Sequence, residues 1–218
     1  MNRTFVFPGK VYIMAARSMA LQAEFQEEID MHDRQTALSL WRQHNDDDSL
    51  LRHALSVEAA MRHFATKQGE DPDYWGIVGL LHDIDYQHHP DEHLKHSRNI
   101  LAAAGYPEDF IHAVDSHGWG LCTDVEPKLH MEKVLYAVDE LTGFITACAY
   151  VRPSRSVLDL EVKSVRKKWK TVAFAAGVNR DVIEKGAGML GMDLDALIEE
   201  TIQAMRGVAE SVGLKGSL

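Results

Sequence analysis

Apolar residues recur at helical spacing along most of the chain. Ala37, Leu38, Leu40 and Trp41 belong to one helix, which Asp33 is placed to cap. Asn45 and the acidic run Asp46-Asp47-Asp48 stop that helix and favour a new helix N-terminus. The next helix carries Leu50, Leu51, Ala54, Val57, Met61 and Phe64 at the same period. Asp71-Pro72 opens another through Trp75, Ile77, Val78, Leu80 and Leu81, and His88-His89-Pro90 forms a polar break. Helix signals return from about Asp91 to Ala104 and end at Gly105, and Pro107 opens a helix running through Ile111 and Val114 toward Gly118. Val134 to Tyr150 reads as a long buried helix ended by Pro153. The last helix, from about Leu194, sets Leu197, Ile198, Ile202, Met205 and Val208 on one face. No alternating strand pattern of useful length is visible, so the pattern predicts an all-α fold.

Residues 1–30 read differently. Phe5-Val6-Phe7-Pro8-Gly9-Lys10-Val11-Tyr12-Ile13 suggests a hairpin around Pro-Gly or a disordered extension, and Met31 is a plausible alternative start. Composition narrows the function classes. The 218 residues carry a formal net charge of -10, which disfavours generic nucleic-acid binding and leaves an anionic substrate in need of a local positive site. Two cysteines, Cys122 and Cys148, make neither a disulfide framework nor a zinc knuckle and fit a reducing, cytoplasmic setting. No apolar run reaches membrane-spanning length.

The chemistry lies in histidines and aspartates spread over several helices. His82-Asp83 follows the apolar helix Trp75 to Leu81, and the two residues would converge on one ion only where the backbone leaves ideal helix geometry. The break near His88 to Pro90 makes such a helix end plausible. His53 sits on an earlier helix. Asp139 sits inside an apolar one beside Ala137, Val138 and Leu141, where a carboxylate needs a partner. A metal would supply it, and so would an ion pair with Lys133 or Arg152.

In this order and context, His53, His82-Asp83 and Asp139 resemble the HD-domain superfamily of metal-dependent phosphohydrolases. Leu81-His82-Asp83-Ile84-Asp85 is similar to the local motif of the HDIG branch. His96-Ser97-Arg98-Asn99-Ile100-Leu101 and Ser116-His117 resemble the segments that supply further histidines in two-metal members, and Tyr136 to Leu141 the final aspartate helix. Arg152-Pro153-Ser154 and Phe174 to Arg180 resemble an uncharacterised bacterial branch of predicted hydrolases. Two positions depart from relatives: Tyr86 stands where some nucleotidase members carry glutamate, and Ser116 where others begin a His-His pair.

The resemblance implies a helical HD domain over 31–151, with C-terminal helices of 152–218 packed on it and 1–30 as an extension. It implies one or two divalent ions (Mn, Fe, Co, Mg, Ni or Zn). His53, His82, Asp83 and Asp139 would hold the first, and Asp83 would bridge to a second held by His96 and His117. The implied reaction is hydrolysis of a phosphoester or phosphoanhydride in a small nucleotide-like substrate by metal-activated water. Asp85 is the candidate for orientation or proton transfer, and Arg152, Lys163 and Arg180 are candidates for phosphate contact. Rival readings are a non-catalytic metal-stabilised sensor or interaction domain, and a di-iron oxygenase. His88, His89 and His93 form a histidine-rich cluster that reads as a solvated loop or an adventitious metal binder, His32-Asp33 is a decoy with Asp33 capping, and Lys163 to Lys170 reads as a solvated helix face or a substrate-facing one.

Overall fold

In the computed structural model, which describes residues 33–217, helix follows helix with no strand among the described residues. We number the helices α1 (Arg34–His44), α2 (Asp48–Gln68), α3 (Pro72–Leu81), α4 (Ser97–Ala103), α5 (Glu108–Ser116), α6 (His130–Tyr150), α7 (Val162–Trp169), α8 (Arg180–Leu190) and α9 (Leu194–Gly207). The all-α expectation holds. The hairpin or extension at 1–30, the alternative start at Met31 and His32 lie outside the described residues.

Local chemistry explains most of the boundaries. The carboxylates of Asp33, Asp47 and Asp71 accept hydrogen bonds from the first free N–H groups of α1, α2 and α3, and Pro72 occupies the first turn of α3. Asn179 and Asp193 cap α8 and α9 in the same way. Helix α6 starts earlier than Val134 because buried Glu132 reaches back to the N–H groups of Lys128 and Leu129 while also binding His112 Nδ1 at 2.8 Å. The expected helix from Asp91 to Ala104 is shorter. Pro90–Glu92 is one 3₁₀ turn, Leu94 takes a left-handed φ of 66°, and α4 begins only at Ser97. Helix α8, absent from the sequence expectation, is corrected here.

The two 21-residue helices, α2 and α6, form the centre. Helix α2 packs chiefly on α3 and then on α6, while α8 covers another side of α6. Gly79 lets α3 approach α2: a Cβ there would lie 2.9 Å from Met61 Cγ and 3.1 Å from the Glu58 backbone. Gly186 does the same for α8 against α6, since its Cβ would meet Ala137 Cβ at 2.6 Å. One continuous apolar cluster runs from Ala37 to Leu214 and includes buried side chains from α7 and α9. No helix among the described residues is long and apolar enough to cross a membrane.

Candidate metal centre

The turn after α3 positions the His82-Asp83 pair. Helical bonding gives way to tighter bonds from Ile84 N to Leu81 O (3.2 Å) and Tyr86 N to Asp83 O (3.1 Å). Asn45 Nδ2 donates to Ile84 O at 3.0 Å, and Gln87 Oε1 accepts from Asp46 N and Asp47 N, so the α1–α2 junction clamps this turn. His53 comes from α2, Asp139 from α6, His117 from the end of α5, and His93 from the irregular segment before α4.

These side chains form two groups that share Asp83. On one side, His53 Nε2 lies 3.0 Å from Asp139 Oδ1, and His82 Nε2 lies 3.2 Å from His53 Nε2, 3.2 Å from Asp83 Oδ2 and 3.4 Å from Asp139 Oδ1. His53 Nε2 is 3.7 Å from the same Asp83 oxygen. On the other side, Asp83 Oδ1 lies 3.2 Å from His93 Nε2 and 3.5 Å from His117 Nε2, and these two nitrogens are 3.2 Å apart.

The opposite edge of each imidazole is fixed. His82 Nδ1 faces Gly79 O at 2.8 Å, and His117 Nδ1 faces Val114 O at 2.7 Å. His93 Nδ1 faces Asp85 Oδ1 at 2.9 Å. His53 Nδ1 faces Thr142 Oγ1 at 3.4 Å, and that hydroxyl spends its proton on Asp139 O. A carbonyl or carboxylate accepts only, and the Thr142 hydroxyl, its proton committed to Asp139 O, is left as an acceptor, so each Nδ1 is the N–H donor and each Nε2 keeps a lone pair pointing inward. Four nitrogen lone pairs and two carboxylates then face one another, an arrangement that repels itself unless positive charge sits between them.

A divalent cation fits that donor set. With bonds of about 2.0–2.1 Å, its ligand atoms would stand about 3.0 Å apart in octahedral and about 3.4 Å in tetrahedral arrangement. The observed separations lie on this scale. By these distances His53, His82, Asp83 and Asp139 could hold one ion, and Asp83, His93 and His117 a second. Proton affinities tell the same story. Burial acts against charge on His82, but Asp83 and Asp139 overcome it and raise the imidazole well above its usual range. Burial likewise opposes charge on His93, yet Asp83 and Asp85 carry it up to about 9. Asp83 and Asp139 are held well below the ordinary carboxylate range by the facing imidazoles, again against burial. The site attracts cations, whether protons or metal.

Two placements differ from the sequence expectation, those of His96 and His93, and Asp85 takes one of the two roles expected of it. His96 is not in the second group: its Nε2 faces Glu92 Oε2 at 3.2 Å and its ring stacks on His89. His93 stands there in its place, with only 14% of its side chain exposed. The left-handed turn at buried Leu94 and the bond from His93 to Asp85 aim it inward, so it is not part of a solvated cluster. Asp85 is buried behind His93, where its second oxygen accepts from His96 N and Ser97 N, both at 3.1 Å. It orients, and it does not line the cleft.

The phosphate candidates are engaged elsewhere. Arg152 binds Asp159 at 2.7 and 3.1 Å, and exposed Lys163 pairs with Glu161 at 2.6 Å. Arg180 lies over the Phe144 ring and donates to the carbonyls of Trp169, Thr171 and Phe174. None of the three lines the cleft. Nor is Asp139 paired with Lys133 or Arg152; its partners are His53 and His82.

A cleft of about 300 Å³ opens over the centre. Tyr86, Leu50, Leu121 and Val182 give it apolar walls, and Cys122 and Glu140 also line it. Glu140 follows Asp139 and passed unassigned in the sequence, where an acid beside a ligand looks like any helix-surface glutamate. Burial, reinforced by the Asp139 charge, pushes its carboxyl up to about 7, and its Oε2 accepts from Asn179 N at 3.1 Å.

Residues 50–143 match the family model described as HD domain. Comparison with curated proteins and with solved structures found no match.

Proposed function

The chain carries an HD domain at residues 50–143, and from that premise we propose that it is a metal-dependent phosphohydrolase acting on a small, nucleotide-like phosphate. The observation that carries the reading is the convergence of four Nε2 lone pairs on a shared Asp83 at the floor of an open cleft. Bound divalent ions supply Lewis-acid polarisation of a phosphoryl group and acidify water toward neutral pH. His53, His82, Asp83 and Asp139 would hold the first, and Asp83, His93 and His117 the second. Asp85 keeps the His93 ring turned with Nε2 inward, and Thr142 does the same for His53.

Glu140 lines the cleft directly beside Asp139, and its Oε1 is free of the Asn179 contact. We assign it the proton delivered to the leaving oxygen. Tyr86 and Leu121, both substantially exposed at the rim, would face the organic part of the substrate. No lysine or arginine lines the cleft among the described residues, so phosphate charge there would be met by bound ions alone. Within nucleotide-like substrates this favours a single phosphate over a polyphosphate chain. Two unpaired cysteines accord with a cytoplasmic setting.

An open cleft above the ligand set favours catalysis over a closed structural metal site. The test is phosphate release from a panel of nucleoside mono-, di- and triphosphates with manganese, cobalt, iron or magnesium. Asp83→Ala is expected to lose the metal under the cleft and activity together, by on the order of 10³-fold or more in rate. Full activity in that variant would remove the assignment, and oxygen uptake in place of phosphate release would point to an oxygenase.

A further inference from the structure

We propose a separate, solvent-facing metal site formed by His89, Glu92 and His96, taking a borderline first-row divalent cation such as zinc. It is distinct from the centre under the cleft and shares no side chain with it.

One ligand atom from each of the three residues lies within 4.8 Å of the others. His96 Nε2 and Glu92 Oε2 are already 3.2 Å apart, close to the edge of about 3.4 Å expected of two ligands on a tetrahedral ion. The His89 ring lies nearly parallel to His96 at 3.8 Å between centroids, so its nitrogens share that space. A His–Glu hydrogen bond explains the Glu92–His96 contact but not the third donor beside it. Lys95 approaches the other Glu92 oxygen, Oε1, at 3.8 Å and leaves Oε2 to the histidine.

The backbone carrying these donors is fixed before any ion arrives. His89 N bonds to Asp85 O, Glu92 N to His89 O, and Lys95 N to Glu92 O, each at 3.0 Å. His96 N is held by the Asp85 carboxylate at 3.1 Å. Only side-chain rotation is therefore needed to close the set, and the side chains have room: Glu92 is 55% exposed and His96 37%. Two imidazoles and one carboxylate select zinc, cobalt, nickel or copper over magnesium or calcium, which prefer all-oxygen ligation. Three protein ligands at the surface leave a fourth position for water on a tetrahedral ion.

The test uses the full chain, stripped with chelator and titrated with zinc alone against a competing chromophoric indicator. Wild type is expected to bind one equivalent more than His89→Ala/His96→Ala, whose loss leaves the His96 N–H to Asp85 in place. Asp83→Ala, whatever becomes of the inner centre, is expected to keep that outer equivalent. Adding His89→Ala/His96→Ala to it should remove the equivalent. Glu92→Gln, which keeps both histidines, should weaken the same equivalent selectively. Equal zinc stoichiometry in wild type and His89→Ala/His96→Ala would overturn the proposal, as would an outer equivalent that survives both histidine replacements in the Asp83→Ala background.

Discussion

Each of the four inward imidazoles meets an acceptor at its far edge, and that is where single substitutions should speak most clearly. Asp85 is the sharpest case, because its carboxylate binds His93 with one oxygen and the start of α4 with the other. Asp85→Asn can present an amide N–H to His93 and disturb the tautomer. Metal affinity at the Asp83–His93–His117 group is expected to fall about 10- to 100-fold while the first group is spared, read by metal titration. Glu140 offers a pH test. Its folded value of about 7 exceeds the ordinary 4.5, so the folded, metal-free protein keeps a proton that the unfolded chain has lost. Stability from this group is therefore present below 4.5 and declines as pH rises toward 7. In thermal unfolding of chelator-treated protein, Glu140→Gln is expected to lack that part of the decline. The same variant should lower kcat by on the order of 10²-fold without loss of bound metal. Unchanged kcat would take proton delivery away from Glu140.

Among elements, the sequence was most legible where caps and apolar period agree, as in α1, α2, α3 and α9 with their aspartate caps. It was least legible between Asp85 and Ser97. There the path is set by a buried carboxylate accepting distant N–H groups and by a left-handed leucine, neither of which leaves a periodic trace. That segment decides that His93 faces Asp83 and His96 does not, and so it governs half of the candidate site. Helix α8 escaped notice because Gly186 and Gly188 weaken its helical signature. Yet Gly186 is what allows contact: its missing Cβ is the space Ala137 occupies. Gly186→Leu should force α8 off α6 beside Asp139 and Glu140. The expected cost is about 1–3 kcal/mol, measured by denaturant unfolding, with a rise in KM as the cleft wall formed by Gly177 and Val182 shifts.

For the molecule as a whole, the apolar cluster continuous from α1 to Leu214 makes a frame in which helices distant in sequence can aim short side chains at one point. His53 and Asp139 are 86 residues apart and meet at 3.0 Å. That convergence concentrates negative carboxylates and neutral nitrogens, and only cations relieve it. The net charge of -10 and the lack of lysine or arginine among the described cleft-lining residues mean that an anion entering the cleft would meet no side-chain cation there.

The most direct measurement is therefore metal content, by elemental analysis of protein purified without chelator or affinity nickel, paired with phosphate release before and after metal removal. Two inner ions per chain are expected, as the equivalents absent from Asp83→Ala, with phosphate release abolished by chelation and restored by added divalent metal. Protein that contains no inner ion, takes none up and gains no activity from added metal would contradict the account.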